Sequence, residues 1–175
     1  MNEKLTYLDY RNNMSFDDAL GFITGNIEVF EVNTLDGEES HVGDVLFHLI
    51  NANNYSDVEE LLSCADLLSA DAFSALLLLN DYVRRKKYKS IEKCSIFYIQ
   101  DIEIDNKYNN MKERIFNEVI NEIKSQSKVF SVDYLLFIVG ENEVDNLLFL
   151  KEGFLKHQKD KFPDLLIYEH ENYKK

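Results

Sequence analysis

Residues 94–125, CSIFYIQDIEIDNKYNNMKERIFNEVINEIKS, decide the fold. Ile91–Asp105 reads as one long strand, rich in β-branched and aromatic residues up to Ile104. A polar turn follows, and Tyr108–Ser125 reads as a helix. On it Met111, Ile115, Val119 and Ile123 form one stripe, with Phe116 and Ile120 beside it, enough apolar surface to cover a sheet. A strand that feeds a helix is where α/β proteins bind phosphorylated ligands, because the first N–H groups of a helix lack partners and its dipole favours anions.

Downstream, Val129–Val139 (VFSVDYLLFIV) is nearly continuously apolar, as expected for a strand covered on both faces, and Gly140 ends it. Asn142 is placed to cap a short helix in which Val144, Leu147, Leu148 and Leu150 or Lys151 approach helical spacing, with Gly153 at the C′ position. Phe154–His157 and Leu165–His170 read as two strands around Pro163-Asp164. The β-α-β-α-β-β order gives an α/β sheet, parallel at its centre and antiparallel at one end.

Upstream, Leu5, Tyr7 and Tyr10 suggest a short first strand, and Ser15 a cap for a brief helix through Phe22. IEVFEVN (27–33) and HVGDVLFHLI (41–50) flank Asp36-Gly37, the signature of a hairpin. From Ser56, an N-cap with Glu59 three residues on, Val58, Leu61, Leu62, Ala65 and Leu68 recur at helical spacing. A second helix covers Ala70–Tyr88. Its run Leu76–Leu79 wraps around much of the helix, so it is buried on more than one side or meets a partner. Arg84, Arg85, Lys86, Lys87 and Lys89 close this helix, either as cations opposing the negative end of its dipole or as a patch for a phosphate or a partner.

The chain has 175 residues, 45% of them apolar, one proline and six glycines. That predicts a single domain over residues 1–175 with a real core and no flexible linker. The net charge of −13 disfavours nucleic acid and is compatible with a basic protein or a cationic substrate. Cys64 and Cys94 make neither a metal cluster nor a disulfide framework, and His41, His48, His157 and His170 have no metal-ligand spacing, so no metal is expected. With no signal-like or membrane-spanning apolar run, the reading is a cytoplasmic protein with no membrane partner.

Ile102-Glu103-Ile104, Tyr108 at the right distance after them, and the loop Asn109-Asn110-Met111-Lys112-Glu113-Arg114 together resemble the acyl-CoA-binding core of GNAT-type N-acetyltransferases. Lys151-Glu152-Gly153-Phe154 is similar to the Leu-Gly-Phe that follows a helix in that family, and Val42-Gly43-Asp44-Val45-Leu46 to one of its earlier strands. The resemblance spans about residues 20–170. It implies a GNAT-like mixed central sheet flanked by helices, with about residues 54–89 as a helical insertion or displaced helix pair.

It also implies acetyl-CoA or CoA as cofactor, with Ile102, Ile104, Asn109, Asn110, Lys112 and Arg114 at the binding positions. Two of these depart from the family: Lys112 and Arg114 stand where glycines let backbone N–H groups approach the pyrophosphate. They either obstruct that cradle, offer cationic contacts together with Lys107, or form an ordinary helix surface on which Arg114 meets Glu118. The position of the family's general-acid tyrosine is Phe149, which has no proton to give. Glu103 and Asp105, with Asp101, are the general-base candidates, since alternation places the three on one face. The function is then an acyl-CoA-dependent N-acyltransferase acting on an amine, or a catalytically inactive protein-binding or inhibitory module using its acidic surface. A third reading, mimicry of nucleic-acid charge, requires the carboxylates in a stripe at phosphate-like spacing.

Overall fold

A computed structural model describes residues 6–86, 90–139, 143–159 and 163–170. Seven strands form one sheet in the order β1-β2-β3-β4-β5-β7-β6: β1 (Thr6–Asp17), β2 (Phe22–Asn33), β3 (Glu39–Asn51), β4 (Ser95–Ile104), β5 (Tyr134–Ile138), β6 (Leu155–His157) and β7 (Leu165–Glu169). All neighbours are antiparallel except β4 and β5.

The first three strands are longer than their sequence pattern suggests. No helix begins at Ser15: the strand continues to Asp17, whose carboxylate accepts from the N–H of Ala19 and Leu20 and closes a turn into β2. The Asp36-Gly37 hairpin forms as expected, with Gly37 N–H on the Asn33 carbonyl.

The two helices read from residues 56–88 are α1 (Val58–Leu68) and α2 (Ala70–Arg85). They lie between β3 and β4 in the chain, in the segment for which the family resemblance implied a helical insertion or a displaced helix pair. The cap of α1 is Asp57 rather than Ser56. Its carboxylate takes the Glu60 N–H, and Glu60 reaches back to the Ser56 N–H, a capping box one residue later than expected. In α2, Leu76, Leu78 and Leu79 are fully buried, so the leucine run is core.

Alternation along the central strands divides the core. Ile96 and Tyr98 of β4, Tyr134 and Leu136 of β5, and Leu165 and Ile167 of β7 pack under α1 and α2. Phe97, Ile99, Leu135 and Leu166 point the other way, under α3 (Lys112–Val129) and α4 (Glu143–Lys151). Helix α3 runs on through residues read as the start of β5: Val129 is 80% exposed on its last turn, and Ser131, at φ 54°, turns the chain back toward the sheet. Helix α4 ends as expected at Gly153. At φ 88° this residue lets its own N–H reach the Leu150 carbonyl and the next N–H, of Phe154, reach Phe149. The proposed cap Asn142 lies outside the described residues.

Candidate functional site

The candidate site lies where β4 leaves β5. The two strands pair from Ile96↔Tyr134 to Ile99↔Phe137, while β3 accompanies β4 on to Gly43↔Ile104. At the point of departure the β3–β4 register passes from Phe47↔Ile99 to Leu46↔Asp101, leaving Gln100 bulged. Beyond the bulge, β4 carries the residues of the family motif along an edge that β5 does not pair. Gly43 allows the close approach of β3, since a Cβ there would lie 2.0 Å from the Glu103 carbonyl oxygen.

The predicted binding residues do not form a cradle. Asn109 and Asn110 belong to a 3-10 turn, Asn106–Met111, that runs directly into α3. The Lys112 N–H already donates to the Asn109 carbonyl. A pyrophosphate needs donors without partners at a helix start, and here the preceding turn already occupies the first of them. Ile102 and Ile104 are half-buried and pack toward the α3 side of the sheet.

The cations of this segment are matched by carboxylates. Arg114 pairs with Glu118 at 2.8 Å, which holds its guanidinium above the usual range, and Lys107 sits 3.4 Å from Asp105. Lys151 of α4 reaches Glu113 in the first turn of α3. Lys112 lies in a shallow cleft beside His41, Asp44, Glu103 and Asp105. An entering polyphosphate would meet those acids and would have to displace existing ion pairs, so the residues present do not fit the phosphate end of CoA.

Nor do the chemical groups of acyl transfer converge. Phe149 is 0% exposed, stacked on Phe137 at 4.4 Å and edge-on to Phe116 and Phe154. Of the base candidates, Asp101 and Glu103 remain on one face of β4 and are exposed. Asp105 lies just past the end of the strand and lines the same cleft as Asp44 and Glu103. It caps the 3-10 turn by accepting from the Lys107 N–H, which holds its carboxyl below the usual range, the opposite of a tuned base.

Sequence reasoning missed a network at the bulge. His48, buried on β3, lies between the Thr24 hydroxyl (3.0 Å) and the Gln100 side-chain carbonyl (2.6 Å). The carbonyl can only accept, so the ring donates from Nε2 and accepts from Thr24 at Nδ1, and burial pushes its pKa down. The signal was present in the alternation: position 48 falls on the face of β3 that carries Asp44 and Leu46.

On that same face the helix pair covers only the end near Phe22, Ile50 and Ile96. Across the uncovered remainder, the register sets Glu28 opposite Asp44 and Asp44 opposite Glu103, a cross-strand row of three acids, with Asp101 in the adjoining row. Like charges directly opposite destabilise a sheet. Asn13 donates to Glu28, Asn26 and His41 contact Asp44, and Arg11 beside them is directed instead to Asp9 and Glu39.

The basic end of α2 is partly tied down. Arg85 pairs with Asp81, which also meets His157 and Lys159, and Lys86 pairs with Glu169. Lys87 and Lys89 lie outside the described residues.

No protein-family model and no curated protein sequence matches the chain. Among solved structures it is similar to a GNAT-family acetyltransferase from Listeria monocytogenes, at 10% identity and a TM-score of 0.49, over 82% of this chain and 64% of that one. It is also similar to NAA60 of Arabidopsis thaliana in complex with acetyl-CoA, at 16% identity and a TM-score of 0.48, over 82% and 76% of the two chains. A polyamine N-acetyltransferase of Drosophila melanogaster is similar at 10% identity and a TM-score of 0.46, over 81% and 74%. The chain thus spans just under two thirds of the Listeria protein's length. With its seven-stranded mixed sheet, single parallel pair at β4–β5 and helices on both faces, the chain has a GNAT-like fold.

Proposed function

We propose that this chain is a GNAT-fold binding protein that does not carry out acyl-CoA-dependent transfer, and that it meets a basic segment of a protein partner on the uncovered sheet face. One observation carries this reading: the 3-10 turn that runs into α3 takes up the Lys112 N–H, one of the donors a pyrophosphate would need, among neighbours already paired with acids. The partner's character follows from charge complementarity. The row Glu28, Asp44 and Glu103 sits on a face left open by the helices, in a chain of net charge −13. Lysine or arginine side chains laid across it would relieve the repulsion between these carboxylates.

The competing reading, an acyl-CoA-dependent N-acyltransferase acting on an amine, is favoured by the split itself, which leaves β4 unpaired by β5 from Gln100 onward. Calorimetric titration with acetyl-CoA and with a decalysine peptide separates the two. The proposal expects no saturable acetyl-CoA binding at millimolar concentration and salt-sensitive binding of the peptide. It also expects the triple variant Glu28→Gln, Asp44→Asn, Glu103→Gln to weaken the peptide at least tenfold. Removing three exposed acids elsewhere (Glu59→Gln, Asp66→Asn, Glu92→Gln) should change it little. Equal losses in both triple variants, or saturable acetyl-CoA binding, would overturn it.

A further inference from the structure

Strand β1 ends the sheet, and its pairing with β2 runs without interruption from Thr6↔Asn33 to Asp17↔Phe22. Its outer edge therefore runs for twelve residues, every second one presenting its backbone N–H and C=O with no strand beside it among the described residues. Edges of this kind are ordinarily guarded by lysine, proline or a bulge. The segment TYLDYRNNMSFD has no lysine and no proline, and its register with β2 has no shift.

The even positions of β1 face the α3 side, since Leu8 and Tyr10 pack on the core beneath that helix. Farther along the same face Met14 is 41% exposed and Phe16 59%. Phe16 borders a groove of about 250 Å³ shared with Ile23, Leu49 and Phe130. The strand carries only Asp9, Arg11 and Asp17 as charges, so it is a weakly charged stretch of a strongly anionic chain.

We propose that β1 pairs antiparallel with β1 of a second copy, about a two-fold axis through Asn12, joining two sheets into one. Residues directly opposite in an antiparallel pair share a face, so the axis must pass through a residue position, and side-chain chemistry selects which. Centred on Asn12, Met14 lies opposite the second copy's Tyr10, and Phe16 opposite its Leu8. On the other face Arg11 lies opposite Asn13 and Asp9 opposite Ser15, with no like charges meeting. Centring on Arg11 sets Arg11 against itself. Centring on Asn13 sets Asp9 against Asp17, and centring on Tyr10 leaves Phe16 uncovered. Centring on Met14 or Ser15 would also cover Met14 and Phe16 but pairs only residues 11–17 or 13–17, whereas the Asn12 register covers both without a charge conflict and pairs residues 7–17.

Sedimentation equilibrium on the intact chain should give twice the 20.5 kDa chain mass at high concentration. The dimer fraction should rise with salt, because the chains repel each other at long range. In a Cys64→Ser background, Asn12→Cys should form a covalent dimer under mild oxidation, since opposed Cβ atoms lie within about 5.5 Å. Thr6→Cys should not, because the second copy's Thr6 lies at the far end of the paired strands. Met14→Lys with Phe16→Lys should give a monomer that melts at the parental temperature when both are diluted to where the parent is monomeric. A chain that is monomeric at millimolar concentration, a dimer that survives the lysine pair, cross-linking through Thr6→Cys, or an edge that accepts only a strand from another protein would each overturn the proposal.

Discussion

Replacing Phe149 with tyrosine asks directly whether a general acid can be restored to this fold. The ring is fully buried within an aromatic cluster, stacked on Phe137 at 4.4 Å and edge-on to Phe116 at 5.0 Å and Phe154 at 4.9 Å. A hydroxyl added there enters close-packed apolar surroundings. Leaving it without a partner costs about 1–3 kcal/mol, and the added volume acts in the same direction. For a chain of this size each kcal/mol lowers the melting temperature by about 2–4 °C, so the variant should melt about 2–12 °C lower. Scanning calorimetry measures that shift, and a thiol-release assay with acetyl-CoA and a polyamine acceptor measures activity. The expected result is a destabilised protein with no thiol release. A variant that melts at the parental temperature and releases CoA would show that position 149 faces a working acyl site, and would refute the reasoning.

Other consequences are as direct. Lys124, only 13% exposed at its side chain, donates to both the backbone carbonyl and the carboxylate of Glu152 and lies over the Tyr168 ring. Lys124→Met should cost about 1.5–3 kcal/mol in urea unfolding by stranding those acceptors. Gly43→Ala should cost about 3 kcal/mol or more and loosen the β3–β4 register, because the new Cβ would meet backbone rather than a movable side chain. His48 and His170 both have pKa values lowered from 6.5, mainly by burial, with Lys128 and Lys124 adding to the effect at His170. The unfolded chain therefore binds more protons than the folded one just below pH 6.5. Stability should be full above that pH and fall as pH drops from about 6.5 toward the folded values. Urea midpoints between about pH 5 and pH 8 should trace this fall, and His48→Gln with His170→Gln should flatten it.

The elements legible in the sequence are those whose burial is one-sided or whose turns need special residues. The Asp36-Gly37 hairpin, the leucine-rich α2 and the Gly153 helix end all carry such signals. Strand β1 did not announce its length, because an edge strand in water needs no apolar alternation and its outer half, from Arg11, is exposed. The end of α3 was misread because the chain turns there through Ser131 rather than a glycine, so exposed Val129 and Phe130 merged with the apolar strand after them. At the candidate site, alternation placed Asp101 and Glu103 on one face. It could not show that the strand ends before Asp105, nor that Gln100 is bulged toward a buried histidine. The 3-10 turn was also hidden: Asn106–Met111 has the polar composition of an open loop, and only the backbone shows that its carbonyls continue into the helix.

The Lys112 N–H at the start of α3 is already held by the Asn109 carbonyl, and amide chemical shifts report directly on the donors there. In a titration of the isotope-labelled chain with CoA to millimolar concentration, the amides of Lys112, Glu113 and Arg114 should not move in a saturable way. Saturable shifts at these amides, accompanied by shifts along Gln100–Ile104, would show that CoA seats in the split between β4 and β5 and would contradict the account.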